Sequence, residues 1–86
     1  LASEGQRWTS FYASYFACNP SRAALLTGRL PYRIHEGKSL WASVPSREVT
    51  IAELLRKKGY KSACIGKWHL GMDNGEHPND QGFDYF

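Results

Sequence analysis

The sequence predicts an α/β fold with a mostly parallel sheet. Helix and strand signals alternate along its 86 residues, and both helix starts carry favourable end chemistry, with a glycine closing each helix. Only two strands are predicted, too few to make such a sheet alone. Residues 1–86 therefore read as one piece of a larger α/β domain, with no internal boundary.

Leu1-Ala2-Ser3-Glu4-Gly5 has the composition of a last helical turn closed by glycine. Arg7 to Tyr12 is rich in aromatic and β-prone residues and predicts a strand. At Asn19-Pro20 a helix is expected to begin. Asparagine is a favoured N-cap, and proline suits the first helical position because the N–H it lacks has no helical partner there. Ala23-Ala24-Leu25-Leu26 propagates that helix and Gly28 stops it. Leu30 to Ser46, with Pro31, Gly37 and Pro45, predicts a long connection. Thr50-Ile51-Ala52-Glu53 spells a capping box, in which hydroxyl and carboxylate each satisfy the other residue's backbone N–H. Ile51, Leu54 and Leu55 share one face of the helix that follows, which is expected to reach Gly59. Its basic end, Arg56-Lys57-Lys58, suits the helix dipole. Tyr60 to Ile65 predicts a second strand, and the glycine-rich remainder a loop.

Composition removes several classes. Hydrophobic residues at 42% and charged residues at 22% are ordinary for a globular chain and argue against disorder. Three Trp, five Tyr and four Phe are a generous aromatic supply, suited to a core larger than this chain can enclose. The longest apolar runs, such as Ala23 to Leu26, are far too short to span a membrane. No basic segment followed by an apolar one marks a signal peptide, and the chain begins at Leu1. Two cysteines exclude a disulfide scaffold and a four-cysteine zinc module. The net charge of +3 is spread along the chain rather than gathered into a nucleic-acid footprint.

Two segments present chemistry. In Cys18-Asn19-Pro20-Ser21-Arg22, the thiol stands just before a predicted helix start, where free N–H groups and the dipole favour negative charge. Arg22 follows one turn along, and helical side chains lean back toward the N-terminus. The pattern fits an anion-handling site around a nucleophile. A buried, inert cysteine is the more ordinary reading of such a thiol. In Gly66-Lys67-Trp68-His69-Leu70-Gly71, at the carboxyl end of the second predicted strand, extended backbone puts Lys67 and His69 on one side and Trp68 on the other. A point charge and a group that exchanges protons near neutral pH would then face together. A surface lysine and a chance histidine give the same spacing.

Taken together, the segments are more specific. Cys18-Asn19-Pro20-Ser21-Arg22-Ala23-Ala24-Leu25-Leu26-Thr27-Gly28-Arg29 resembles the sulfatase signature, Cys-x-Pro-Ser-Arg followed by a helix ending in Thr-Gly. Gly66 to Gly71 resembles the second sulfatase signature, and Gly82-Phe83-Asp84-Tyr85-Phe86 is similar to the segment that follows in arylsulfatases. The resemblance runs from end to end of the chain.

It implies a type I, arylsulfatase-like, formylglycine-dependent sulfatase, of which these residues form an N-terminal-proximal fragment on an alkaline-phosphatase-like fold. By resemblance, Cys18 is oxidised to formylglycine by a formylglycine-generating enzyme that reads Pro20 and Arg22. The hydrated aldehyde has one hydroxyl to attack the sulfur of a sulfate ester and a second to expel sulfate afterwards. Arg22 is expected to stabilise the modified side chain, Lys67 to hold a sulfate oxygen, and His69 to hydrogen-bond residue 18 and accept its proton. Ser21 would support the site or only the helix. The family's calcium ion would take modified Cys18 as its single ligand from this stretch. Asp73, Asp80 and Asp84 match no metal position. A second histidine and lysine of the family site are also missing, so the isolated fragment is expected to be inactive. The same resemblance implies a lysosomal, secreted or periplasmic protein.

Two other functions fit parts of the pattern. A phosphatase or phosphonate hydrolase of this fold would also place a nucleophile at the helix start. A non-catalytic module could gather Cys18, Cys64, His35, His69 and His77 around zinc, or bridge Cys18 to Cys64, although their spacings match no zinc pattern. Substrate reading would fall to His35–Ser46 and Asp73–Asp80, where Trp41 either stacks on a ring or packs.

Overall fold

A computed structural model describes all residues from Leu1 to Phe86. Helix α1 spans Cys18–Thr27, α2 spans Pro31–Ile34 and α3 spans Ile51–Arg56.

The alanine-rich middle of α1 propagates as its propensity dictates, and Gly28 ends it at φ 67°, donating its N–H to the Ala24 carbonyl. Its start corrects the sequence reading. The N-cap is Ala17, not Asn19, and no side chain caps the helix. Pro20 then stands at the third helical position and offers no N–H, removing one of the groups that a capping side chain would serve. The buried face of α1 is small or polar (Asn19, Pro20, Ala23 and Ala24), which lets other chain segments approach closely.

Helix α2 lies inside the expected connection and starts with Pro31 at its first position. Helix α3 begins with the complete capping box: Glu53 donates its N–H to the Thr50 hydroxyl at 3.2 Å, and Thr50 donates its N–H to the Glu53 carboxylate at 2.7 Å. The helix stops at Arg56, short of Gly59, because tight turns take over. The N–H groups of Lys58 and Gly59 go to Leu55 and Arg56 three residues back. The Ile51, Leu54 and Leu55 side of α3 faces outward, and Ala52 is its buried residue.

Neither predicted strand forms. Residues 7–12 run as an irregular, exposed segment with no backbone partner, and residues 1–5 make a turn rather than a helix end. Strand propensity is realised only where a neighbour completes the ladder. Residues 60–65 come nearest to one. Ala63 forms a single bridge with Tyr85, in parallel sense, with Cys64 N–H donating to the Tyr85 carbonyl at 2.8 Å. The Asp84 carboxylate accepts from the Ser62 N–H at 3.0 Å and from Lys61 at 3.2 Å. Those bonds to its charged form, the backbone one foremost, hold its carboxyl below the usual carboxylate range.

The core consists of Ala23, Ile34, Val44, Trp68 and Leu70, with Leu26, Cys64 and Phe83 packed against it. Helix α1, α2, the connection and the Gly66–Gly71 loop thus meet at one place. Thr50 donates from its hydroxyl to the Gln81 carbonyl at 2.6 Å, and the buried Gln81 amide donates to Gly75 at 2.9 Å. Gly82 is obligatory beside them: at φ 101°, a Cβ would lie 2.6 Å from the Glu53 nitrogen.

A charged cluster closes the α2 side. One Arg29 nitrogen donates to both oxygens of the buried Glu48, at 2.6 and 2.7 Å, with Arg47 3.9 Å away. Arg47 also donates to the Ile34 carbonyl and pairs with Glu36 at 3.0 Å. His35 is buried beside this cluster with its Nε2 unpartnered. Burial and then the Arg47 charge push its pKa below the ordinary histidine value, against an opposing pull from Glu48.

Candidate active site

Cys18 is the first residue of α1 and is exposed, while Asn19 and Pro20 beside it are buried. The first turn holds no acidic side chain and no side-chain cap, so the positive end of the helix stands undiluted at residue 18. Across from it lies the Gly66–Gly71 loop. Trp68 anchors that loop: its ring is buried against Phe83, and its indole N–H is shared between the Gly71 carbonyl at 2.8 Å and the Glu76 carbonyl at 3.1 Å. Leu70 is buried too, and its carbonyl accepts from the Val44 N–H at 3.0 Å. With Trp68 and Leu70 turned in, Lys67 and His69 are left exposed, as the alternation predicts.

Cys18 and His69 come together, and Arg22 and Lys67 meet through the Lys67 backbone carbonyl. His69 Nδ1 stands 3.4 Å from Cys18 Sγ, although the two are 51 residues apart. The thiol donates to Nδ1 when the ring proton sits on Nε2. His69 has φ 61°, a left-handed backbone conformation uncommon outside glycine. Arg22 reaches the same loop: its Nε donates to the Trp68 carbonyl at 2.8 Å and its Nη2 to the Lys67 carbonyl. Its partners are therefore loop carbonyls rather than a side chain at position 18. The ammonium of Lys67 is solvent-exposed, and half-buried Ser21 follows Pro20 on α1.

One residue of this arrangement was hidden in the sequence. Asn19, expected to cap the helix, instead donates its side-chain N–H to the His69 carbonyl at 2.7 Å. No local pattern signals a partner 50 residues away.

The other cysteine and histidines lie elsewhere. Cys64 is a free, half-buried thiol, His35 is buried against Arg47 and Glu48, and the His77 ring packs edge-on to Phe86 at 5.2 Å. No three His, Cys, Asp or Glu side chains converge in the way a metal ion would need. The zinc-module alternative therefore lacks a site, and the residues present do not make a calcium cage. Asp73, Asp80 and Asp84 serve the backbone: Asp80 accepts from the Gly75 N–H, and Asp73 offers its carbonyl to Glu76. No helix is long and apolar enough to cross a membrane.

A family model described as Sulfatase matches residues 1–86. The chain belongs to the sulfatase family. Arylsulfatase G of Mus musculus is 49% identical over 90 residues, covering 100% of this chain and 17% of that protein. N-acetylgalactosamine-6-sulfatase of Mus musculus is 41% identical over 96 residues, covering 98% of this chain and 18% of that protein. The solved structure titled "Crystal structure of Ps i-CgsB" superposes with a TM-score of 0.76 at 39% identity, covering 86% of this chain and 18% of that one. The chain thus spans about a sixth of the length of the curated relatives it matches. Its path is that of the corresponding part of a solved relative, despite the sparse regular structure.

Proposed function

We propose that residues 1–86 are part of the catalytic domain of a sulfuric ester hydrolase that cleaves sulfate monoesters, with Cys18 as the residue converted to formylglycine. One observation carries the reading: the thiol at the α1 start faces the His69 imidazole at 3.4 Å, while Arg22 fastens the loop that carries Lys67 and His69 to the same helix. Names of relatives such as arylsulfatase G add support for the reaction class.

In this reading a hydrated aldehyde at position 18 supplies two geminal hydroxyls, one to attack sulfur and one to release sulfate. His69 Nδ1 lies where it can hold and take the proton of a residue-18 hydroxyl. The Lys67 ammonium meets a sulfate oxygen as charge builds. Arg22 keeps both groups in register with the helix start and adds positive charge beside residue 18. The calcium ion belongs to residues outside this set, apart from residue 18 itself. A formylglycine-generating enzyme is the maturation partner, the fold is an alkaline-phosphatase-like one with a mostly parallel sheet, a reading that the parallel sense of the single bridge supports, and the location is lysosomal, secreted or periplasmic.

The test is a paired assay of the full-length protein that contains these residues on an aryl sulfate and the matching aryl phosphate, with mass analysis of the Cys18 peptide. Faster sulfate hydrolysis and a peptide lighter than the cysteine form are expected. Preferential phosphate hydrolysis by fully converted protein would overturn the reading in favour of a phosphatase of the same fold.

A further inference from the structure

We propose that Asn19 is a positioning residue that sets the orientation of His69; the reaction it serves rests on the sulfatase reading above. Its side chain is 4% exposed and makes no cap to α1. Its N–H instead donates to the His69 carbonyl at 2.7 Å. A carbonyl only accepts, so the amide nitrogen is the atom that faces it.

His69 is where the loop departs from ordinary backbone, at φ 61°. Such a conformation persists in a non-glycine residue when its surroundings over-determine it. The surroundings are four successive carbonyls, each with a donor: Lys67 and Trp68 held by Arg22, His69 by Asn19, and Leu70 by the Val44 N–H. Arg22 fixes the peptides before His69, and Val44 the one after Leu70. Asn19 alone holds the carbonyl of His69. The direction of the His69 Cβ, and so the approach of Nδ1 to Cys18 Sγ, follows from those backbone torsions.

Asn19 is also the neighbour of Cys18 in the chain. The peptide that carries the proposed nucleophile thus carries the tie to its proton acceptor, and a shift in one drags the other with it. The fold gains little from this choice. The Asn19 Oδ1 is buried without a partner, a penalty that alanine in the same place would avoid. A residue chosen for packing alone would not carry that orphaned acceptor.

The experiment compares Asn19→Ala and Asn19→Asp with the parent in the full-length protein that contains these residues. Aspartate keeps the shape, but an ionised carboxylate has no N–H to donate. Both variants are expected to lower kcat toward aryl sulfate by roughly 10- to 100-fold, as misplacement of a reacting group does, with KM within about twofold. In protein labelled with 15N-histidine, the His69 ring resonances, identified by their loss in His69→Gln, are expected to move while those of His35 and His77 stay. Folded variants with parental kcat and unmoved His69 resonances would overturn the proposal. If aspartate, which buries a charge against a carbonyl, prevents folding, alanine decides by the same readouts. A parent that hydrolyses no sulfate ester sinks the sulfatase reading, and the resonances still decide the role of Asn19.

Discussion

Helices α1 and α3 start in opposite ways. At α3 the cap comes from the helix's own first turn: Thr50 and Glu53 satisfy each other's backbone N–H groups within four residues, and the Thr50 hydroxyl also donates to the Gln81 carbonyl. At α1 the N-cap is an alanine, and two polar side chains of the first two turns, Asn19 and Arg22, reach across about 50 residues to hold the loop from Lys67 to His69. The comparison teaches where local rules yield. A helix end left uncapped keeps its positive pole for another group, and the side chains that would have neutralised it are committed elsewhere.

The largest effect comes from breaking the exposed end of α1. Cys18→Ala is expected to reduce sulfate ester hydrolysis to background in the full-length protein that contains these residues, with thermal unfolding close to parental. His69→Ala, removing the proposed proton acceptor, should lower kcat by about 10²- to 10⁴-fold, read in steady-state kinetics with KM little changed. Retained turnover in either variant would break the comparison by making the α1 start ordinary.

Arg22→Lys keeps the charge but loses the fork that spans two carbonyls. A fall in kcat of about 100-fold is expected for a loop displaced by an ångström, and added guanidinium should not restore the bidentate geometry. The α3 counterpart sharpens the contrast. Thr50→Ala is expected to cost about 1–2 kcal/mol in denaturant unfolding for the lost cap and about 1 kcal/mol more for the hydrogen bond to the Gln81 carbonyl, while kcat stays parental. Loss of activity there without loss of stability would contradict the division between the two helix starts.

The smallest effect involves acid. His35 is held neutral by burial and by the Arg47 charge, with Glu48 pulling the other way. Its folded pKa lies below the unfolded value of about 6.5, so the unfolded chain binds more protons in between. Stability is then complete above about pH 6.5 and is lost as pH falls through the folded pKa. His35→Asn should flatten that part of a melting-temperature profile.

The two signatures and the α3 capping box were legible because each depends on residues close together in sequence. So was the alternation of exposed Lys67 and His69 with buried Trp68 and Leu70, although the backbone that produces it is a loop with His69 at φ 61° and not the expected strand. The true start of α1 was not, because Asn19 satisfies every local criterion of a cap and its partner is distant. The strands at 7–12 and 60–65 failed for a related reason. Trp8, Phe11 and Tyr12 have strand propensity, but a strand is a pairing, and only Ala63 finds its partner within these residues. The meeting of Cys18 with His69 was legible as a family resemblance and not as physics, since no spacing rule joins residues 51 apart.

The contact between Arg29 and Glu48 makes tolerance to substitution depend on order. Both carboxylate oxygens lean on a single nitrogen, and the next cation stands 3.9 Å off. Losing the arginine first strands a charge that water cannot reach, a loss of about 3–5 kcal/mol for a fully enclosed pair and less here because Arg29 is half exposed. Losing the glutamate first leaves Arg47 on Glu36 and the Ile34 carbonyl, and leaves the half-exposed Arg29 to water and the Arg33 carbonyl. The same contact is broken either way, yet a stepwise route to an apolar pair opens only through position 48.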